Sequence, residues 1–280
     1  MADPARPAHL EPSELGTKEY WDSLYTTELS NHATNPSDIG TVWFDDSDAE
    51  AKLLEFLEAR TPEGESGGEE EDGHDNGDRN RNRNGAAVSL DKAADSFLDL
   101  GCGNGSLLFA LRDEGWRGRL LGVDYSPKSV DLARQIAATK AAERQEDNEG
   151  ETLGVDFEEW DVLAGPYDTV LGGAQADGWD VVLDKGTFDA ISLSDERDAS
   201  GRRIVEGYRG RALKLVRPGG LLLITSCNWT EAELKTWFEG ESAEGDDGRF
   251  VQVGRVKYPS FSFGGVKGQT ISTLCFRKER

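Results

Sequence analysis

The chain has 280 residues, with 54 Asp and Glu against 31 Lys and Arg, a net charge of −23 and only three cysteines. That length suits one α/β domain with insertions, or at most two small domains. The charge argues against an electrostatic grip on nucleic acid and makes a basic protein the expected large partner.

Cys102, Cys227 and Cys275 lie far apart without C-x-x-C spacing, so neither a disulfide framework nor a metal site is indicated. His9, His32 and His74 fall in the N-terminal region or in a polar insert, which leaves no Ser/His/Asp or Cys/His chemistry to expect near the motifs below. The N-terminus lacks an apolar signal core and no run of 18 apolar residues occurs. A soluble, cytoplasmic protein without membrane contact is expected.

Residues 1–14 are Pro-rich and read as a disordered tail. Thr17 is placed to cap a helix on which Tyr20, Trp21, Leu24 and Tyr25 share one face. Asn35-Pro36 breaks the pattern before a short apolar segment, Ile39 to Phe44. Asp45 to Asp48 can start the next helix, whose apolar face is Leu53, Leu54, Phe56 and Leu57. Residues 58–85 are almost free of apolar side chains and read as a disordered insertion. Its Arg79 to Asn84 run is opposed by the acidic flank Glu69 to Asp72 as a nucleic-acid patch.

A strand from Ser96 to Leu100 then runs into Gly101-Cys102-Gly103-Asn104-Gly105, followed by a helix carrying Leu107, Leu108, Ala110 and Leu111. Three alternate glycines permit a tight turn and close approach of a ligand to the main chain, and the helix N-terminus is expected to offer free N–H groups. The dinucleotide fingerprint G-x-G-x-x-G is not matched, because Ser106 stands where its third glycine belongs. A second strand, Leu120 to Val123, ends at Asp124, about 20 residues beyond the turn, where a carboxylate can bind both ribose hydroxyls. Ser126-Pro127 opens a helix with Pro in its first turn.

Residues 140–154 read as a second acidic disordered insert, Phe157 to Trp160 as a weak third strand with Asp161 and Val162 after it, and Trp179 to Asp184 as a buried fourth strand. Arg203 to Val216 is expected to be helical and to end at Pro218-Gly219-Gly220, before a fifth strand from Leu221 to Thr225. Phe250 to Val256 and Thr270 to Phe276, joined by a Gly-rich link, read as an antiparallel pair. The alternation describes an α/β, doubly wound, mostly parallel sheet with an antiparallel last strand. Its ligand belongs beyond the carboxyl ends of the strands. Asp161 is then placed to accept a hydrogen bond from an adenine amino group.

Asp99, the glycine turn and Asp124 together resemble the S-adenosylmethionine-dependent methyltransferases of the seven-stranded, Rossmann-like class. The resemblance narrows with Leu15 to Tyr25, Val42-Trp43-Phe44, Asp184-Lys185-Gly186-Thr187-Phe188-Asp189-Ala190-Ile191 and Ile224 to Thr230. These are similar to the lysine methyltransferases that modify translation elongation factor 1-alpha. Two departures are the long inserts and Asp45-Asp46, where the family pattern has a glycine.

The resemblance implies a single methyltransferase domain over residues 15–280, S-adenosylmethionine as cofactor and elongation factor 1-alpha as a basic protein substrate. Cofactor binding falls to Trp43, Asp99, Gly101, Cys102, Gly103, Asn104, Gly105, Asp124, Tyr125, Asp161, Val162 and Asp184. Asp184 and Phe188 are the expected catalytic pair, with Asp184 or its backbone receiving the amine's hydrogens. Trp43, Phe188, Asn228 and Trp229 are the expected substrate-channel residues. A small-molecule methyltransferase of the same fold, and a scaffold that has lost catalysis, are the competing readings.

Overall fold

The computed structural model describes residues 7–62, 88–146, 153–240, 247–263 and 266–280. Its strands are β1 (Phe97–Leu100), β2 (Leu120–Asp124), β3 (Asp156–Glu159), β4 (Trp179–Lys185), β5 (Val216–Ser226), β6 (Arg249–Val256), β7 (Ser260–Phe263), β8 (Val266–Gln269) and β9 (Ser272–Glu279). The helices are α1 (Lys18–Thr34), α2 (Ala49–Glu58), α3 (Ser106–Asp113), α4 (Pro127–Glu146), α5 (Thr187–Ser192), α6 (Tyr208–Leu215) and α7 (Glu231–Glu239). Seven strands form one sheet in the order β3-β2-β1-β4-β5-β9-β6, and β7 and β8 form a separate hairpin. β1 pairs parallel with both β2 and β4, so the winding direction reverses between β1 and β4. β9 is antiparallel to both β5 and β6, as the alternating pattern led one to expect. Among the described residues, no helix is long and apolar enough to cross a membrane.

Side-chain alternation along the strands divides the interior into two cores. Phe97, Val181, Leu183, Leu221 and Leu223 meet Leu53, Leu107 and Val130, from α2, α3 and α4. On the other face, Leu98, Leu100, Val182, Leu222 and Ile224 meet Phe188, Tyr208 and Phe238, from α5, α6 and α7. The same alternation puts Asp99 and Lys185 on the first face and Asp184 on the second. This detail decides what each can do.

Several boundaries differ from the sequence reading. Pro218-Gly219-Gly220 does not precede the fifth strand but lies within β5, where the register jumps from Trp179↔Val216 to Val181↔Leu221 and the extra residues bulge out. The expected helix from Arg203 begins as a short 3-10 turn, Ile204–Gly207, before α6. α4 continues to Glu146, across the start of the expected second insert, and the Gly-rich link forms the β7–β8 hairpin.

Residues 1–6 of the expected tail, residues 63–85 of the first expected insert and residues 147–152 of the second lie outside the described residues. Residues 7–14 are laid along the domain: Leu10 packs on the second core and the Ser13 N–H donates to the Leu193 carbonyl at 3.1 Å.

The second core is aromatic at its centre. Phe188 is 1% exposed, with ring centroids of Tyr208, Phe238, Trp237 and Trp229 at 5.3, 5.1, 5.6 and 6.2 Å. Truncating such a side chain removes transfer energy and leaves a cavity. Phe188→Ala should therefore lower unfolding free energy by about 3–5 kcal/mol, and Tyr208→Phe, which leaves Asp184 short of a donor, by about 1–3 kcal/mol. Urea denaturation followed by tryptophan fluorescence checks both values.

Candidate active site

A cavity of about 450 Å³ opens at the carboxyl ends of β1, β2, β4 and β5, the place where open α/β sheets bind ligands. Asp124, Tyr125, Trp160, Asp161 and Val162 line it beyond β2 and β3. Trp43, Lys185, Gly186, Asp189, Cys227 and Asn228 line it beyond β4 and β5. Gly101 lies at its centre in the strand order, and α1 with its approach contributes Gly16, Lys18, Trp21 and Tyr25.

Gly101, Gly103 and Gly105 all have left-handed φ, at 63°, 55° and 80°. A Cβ on Gly101 would fall 2.1 Å from the Thr187 hydroxyl, and one on Gly103 would fall 2.9 Å from the Tyr25 hydroxyl, so no side chain fits at either without rearrangement.

The expected free N–H groups are largely taken. Gly103 N–H donates to Asp124, Cys102 N–H to the Val123 carbonyl, and Ser106 N–H to Asn104 Oδ1. The chain thus fills with its own amide the position where a phosphate would sit. Asn104 and Cys102 are consequently not cavity side chains. Asn104 is 3% exposed and also donates to the carbonyls of Ile39 and Thr41, while Cys102 is packed in the first core.

The carboxylates differ in how their charge is met. Asp124 accepts from Ser126 N–H at 2.9 Å and Gly103 N–H at 3.2 Å; burial raises its pKa and these donors oppose the rise. Asp161 uses Oδ1 to hold the N–H groups of Leu163 and Ala164, at 2.7 and 3.2 Å, which shapes the wall beside Val162. Asp99 is 3% exposed and does not line the cavity, and among the described residues no hydrogen bond reaches its carboxylate. Burial pushes its pKa up to about 8; the Lys185 ammonium opposes this, and Glu50, Asp184 and Asp124 add to it.

Asp184 does not occupy the expected position. Its carboxylate, 1% exposed, points into the second core and accepts from Thr187 N–H, Phe188 N–H and the Tyr208 hydroxyl. It anchors the start of α5 and has no path to an amine. Phe188 and Trp229 are likewise core residues, not channel walls, since strand alternation turns α5 and the β5 end onto that face. Burial raises the Asp184 pKa to about 7 against these donors. Of the expected channel residues, Trp43 and Asn228 do line the cavity.

Three further groups define the site. Lys185 Nζ donates to the Trp43 carbonyl at 3.1 Å and pairs with Glu50 at 3.4 Å, tying the segment before α2 to the end of β4. Its place on the first face follows from alternation with Val181 and Leu183, a signal that the sequence carries. Tyr25, buried beside Gly103, and Asp189, bonded to Ser226 and Cys227, fall inside the motifs that carry the resemblance, but their partners lie in distant segments that no local pattern reveals.

With this geometry in hand, comparison with known proteins gives a consistent answer. A methyltransferase domain family model matches residues 91–253. Protein-lysine N-methyltransferase EFM4 of Saccharomyces cerevisiae is 37% identical over 276 residues, covering 97% of this chain and 98% of that protein. Protein-lysine N-methyltransferase efm4 of Schizosaccharomyces pombe is 34% identical, covering 96% and 95%. EEF1A lysine methyltransferase 2 of Homo sapiens is 30% identical, covering 95% and 88%. The chain belongs to the methyltransferase domain family, in the branch that holds the EFM4 and EEF1A lysine methyltransferase 2 proteins.

Proposed function

We propose that this chain is an S-adenosylmethionine-dependent protein-lysine N-methyltransferase whose substrate is translation elongation factor 1-alpha. The observation that supports the cofactor is Asp124, which lines the cavity and accepts the Gly103 N–H across the glycine turn, with a second carboxylate, Asp99, buried two residues before Gly101. A ligand with one cationic end and one diol end matches that pair, and a phosphate does not, since Asn104 already occupies the α3 N-terminus. The relatives named above support the substrate class.

Asp99 would hold the α-ammonium of the cofactor and Asp124 its ribose hydroxyls. Tyr125 and Val162 would flank the adenine, with the free oxygen of Asp161 facing its amino group. When bound, S-adenosylmethionine supplies a methyl carbon on a sulfonium, which an amine lone pair attacks in line while the C–S electron pair returns to sulfur.

The protein's own task is to bring a lysine amine, neutral and desolvated, to the β4–β5 end of the cavity. A free lysine titrates near 10.4, and a low-dielectric site beside a cation lowers that value. Alignment by Trp43, Asp189 and Asn228 supplies on the order of 7 kcal/mol in well-oriented cases. The cytoplasm, where such an elongation factor works, is the compartment that this reading implies.

Labelled methyl from S-adenosylmethionine should enter purified elongation factor 1-alpha and be lost with Asp124→Ala; label in a metabolite pool alone would redirect the substrate to small molecules. A second expectation concerns the ligand-free protein. Because the folded-state pKa of Asp99 is raised to about 8, its stabilising protonated form is full below the unfolded value near 3.9 and is lost as pH rises through about 8. Asp99→Asn should therefore melt above the parent by a margin that grows between pH 4 and 8 and then levels off, at about 2–4 °C per kcal/mol. The same change should weaken cofactor binding. A constant margin across that range would remove Asp99 as the buried unpaired group.

A further inference from the structure

The family assignment leaves open which side chain meets the incoming amine. The carboxylates lining the cavity are Asp124, Asp161, Asp189 and Glu196. Asp124 and Asp161 stand beyond β2 and β3, among the residues that fit the nucleoside. Glu196 is exposed on the loop after α5. Asp189 alone among them is both buried, at 5% exposure, and placed at the β4–β5 end.

Its surroundings are built for charge. One oxygen accepts the Ser226 hydroxyl and the other accepts the Cys227 N–H at 2.7 Å. A carboxylate offers about four acceptor positions, and Asp189 lines the cavity while these donors hold it. Ser226 is itself fixed, because its oxygen accepts the N–H groups of Asn228 and Trp229 at 3.1 and 3.0 Å. The nearby cation, Lys185, is engaged with Glu50 and the Trp43 carbonyl. Burial raises the Asp189 pKa, and the Ser226 and Cys227 donors counter it, as a group kept ready for a cationic partner requires.

We propose that the Asp189 carboxylate receives the ε-amino group of the target lysine, drawing the cation to the β4–β5 end of the cavity and fixing the nitrogen's orientation. The proposal rests on the protein-lysine methyltransferase reading given above. Once the bound ammonium has lost one proton to solvent, Asp189 holds N–H groups of the neutral amine, so the nitrogen's lone pair faces away from the carboxylate. Its role is binding and orientation in a dry site, where a charge-assisted hydrogen bond is strong. Asp184, five residues earlier, is sealed in the second core and cannot share this task.

The test uses the full-length protein and elongation factor 1-alpha, beginning with the mapped methylated lysine. No label in the elongation factor with the parent enzyme would defeat the substrate reading before Asp189 is reached. With labelling established, Asp189→Asn should keep cofactor affinity within about twofold and lose about 10- to 100-fold in kcat/KM. Ser226→Ala, which removes an internal donor but leaves the charge, should lose far less.

Replacing the target lysine by methionine should weaken elongation-factor binding to the parent and make no difference to Asp189→Asn. Equal losses in Asp189→Asn and Ser226→Ala, or a lysine preference that persists in Asp189→Asn, would reduce Asp189 to a structural brace and overturn the proposal. If Asp189→Asn does not fold, Asp189→Glu decides. That variant keeps the charge but shifts it by one methylene: a raised KM supports the assignment and an unchanged kcat/KM contradicts it.

Discussion

A carboxylate cannot stay both buried and ionised without a partner, because desolvation penalises the charge. Four carboxylates near the strand ends of this protein meet that constraint in four ways. Asp124 is paid in backbone N–H groups from the glycine turn and from Ser126. Asp184 takes the start of α5 and the Tyr208 hydroxyl. Asp189 takes Ser226 and Cys227 and lines the cavity. Asp99 has one opposite charge near it, Lys185, against the like charges of Glu50, Asp184 and Asp124, and no donor of its own among the described residues. On the proposed reading, the cofactor's cation is the partner that Asp99 lacks.

The covering segment is fixed by the same economy of polar groups. Glu28 accepts the Thr41 N–H at 2.8 Å, His32 Nδ1 bonds to the Asp38 carbonyl, Asn104 reaches the carbonyls of Ile39 and Thr41, and Lys185 reaches that of Trp43. The stretch from Asp38 to Trp43 is therefore held between α1 and the glycine turn without regular structure of its own. Phe44 follows at φ 65°, a left-handed conformation unusual for a bulky residue, and one of the kind that costs about 1–3 kcal/mol. The tethers around it sustain that geometry, and it turns the chain into α2 beside the cavity.

Much of this was legible in the sequence because it is local. A strand running into alternate glycines, an acid before them and another closing the next strand need only short-range pattern to be seen. Parallel strands buried on both faces, such as β4, announce themselves by continuous apolar content. The errors were errors of direction. Asp184 and Phe188 belong to a motif at the right end of the sheet, but period-two alternation sends Asp184 into the second core, and α5 carries Phe188 with it.

Counting alternation from Val181 would have assigned Lys185 to the cavity and Asp184 away from it. Tyr208 and Ser226 could not be found that way, since they meet their acids across 24 and 37 residues of chain. The docking of residues 7–14 likewise depends on a tertiary surface that Pro-rich composition does not reveal.

The most direct measurement is the number of protons released when S-adenosylmethionine binds, read by calorimetry at pH 7 in buffers of different ionisation enthalpy. An Asp99 carboxyl that titrates at about 8 in the free protein is mostly protonated there and must ionise to hold a cation. Release approaching one proton, abolished in Asp99→Asn, is the predicted result. Binding with no proton release, or with the same release in Asp99→Asn, would contradict the assignment of Asp99 as the acid that waits for the cofactor's cation.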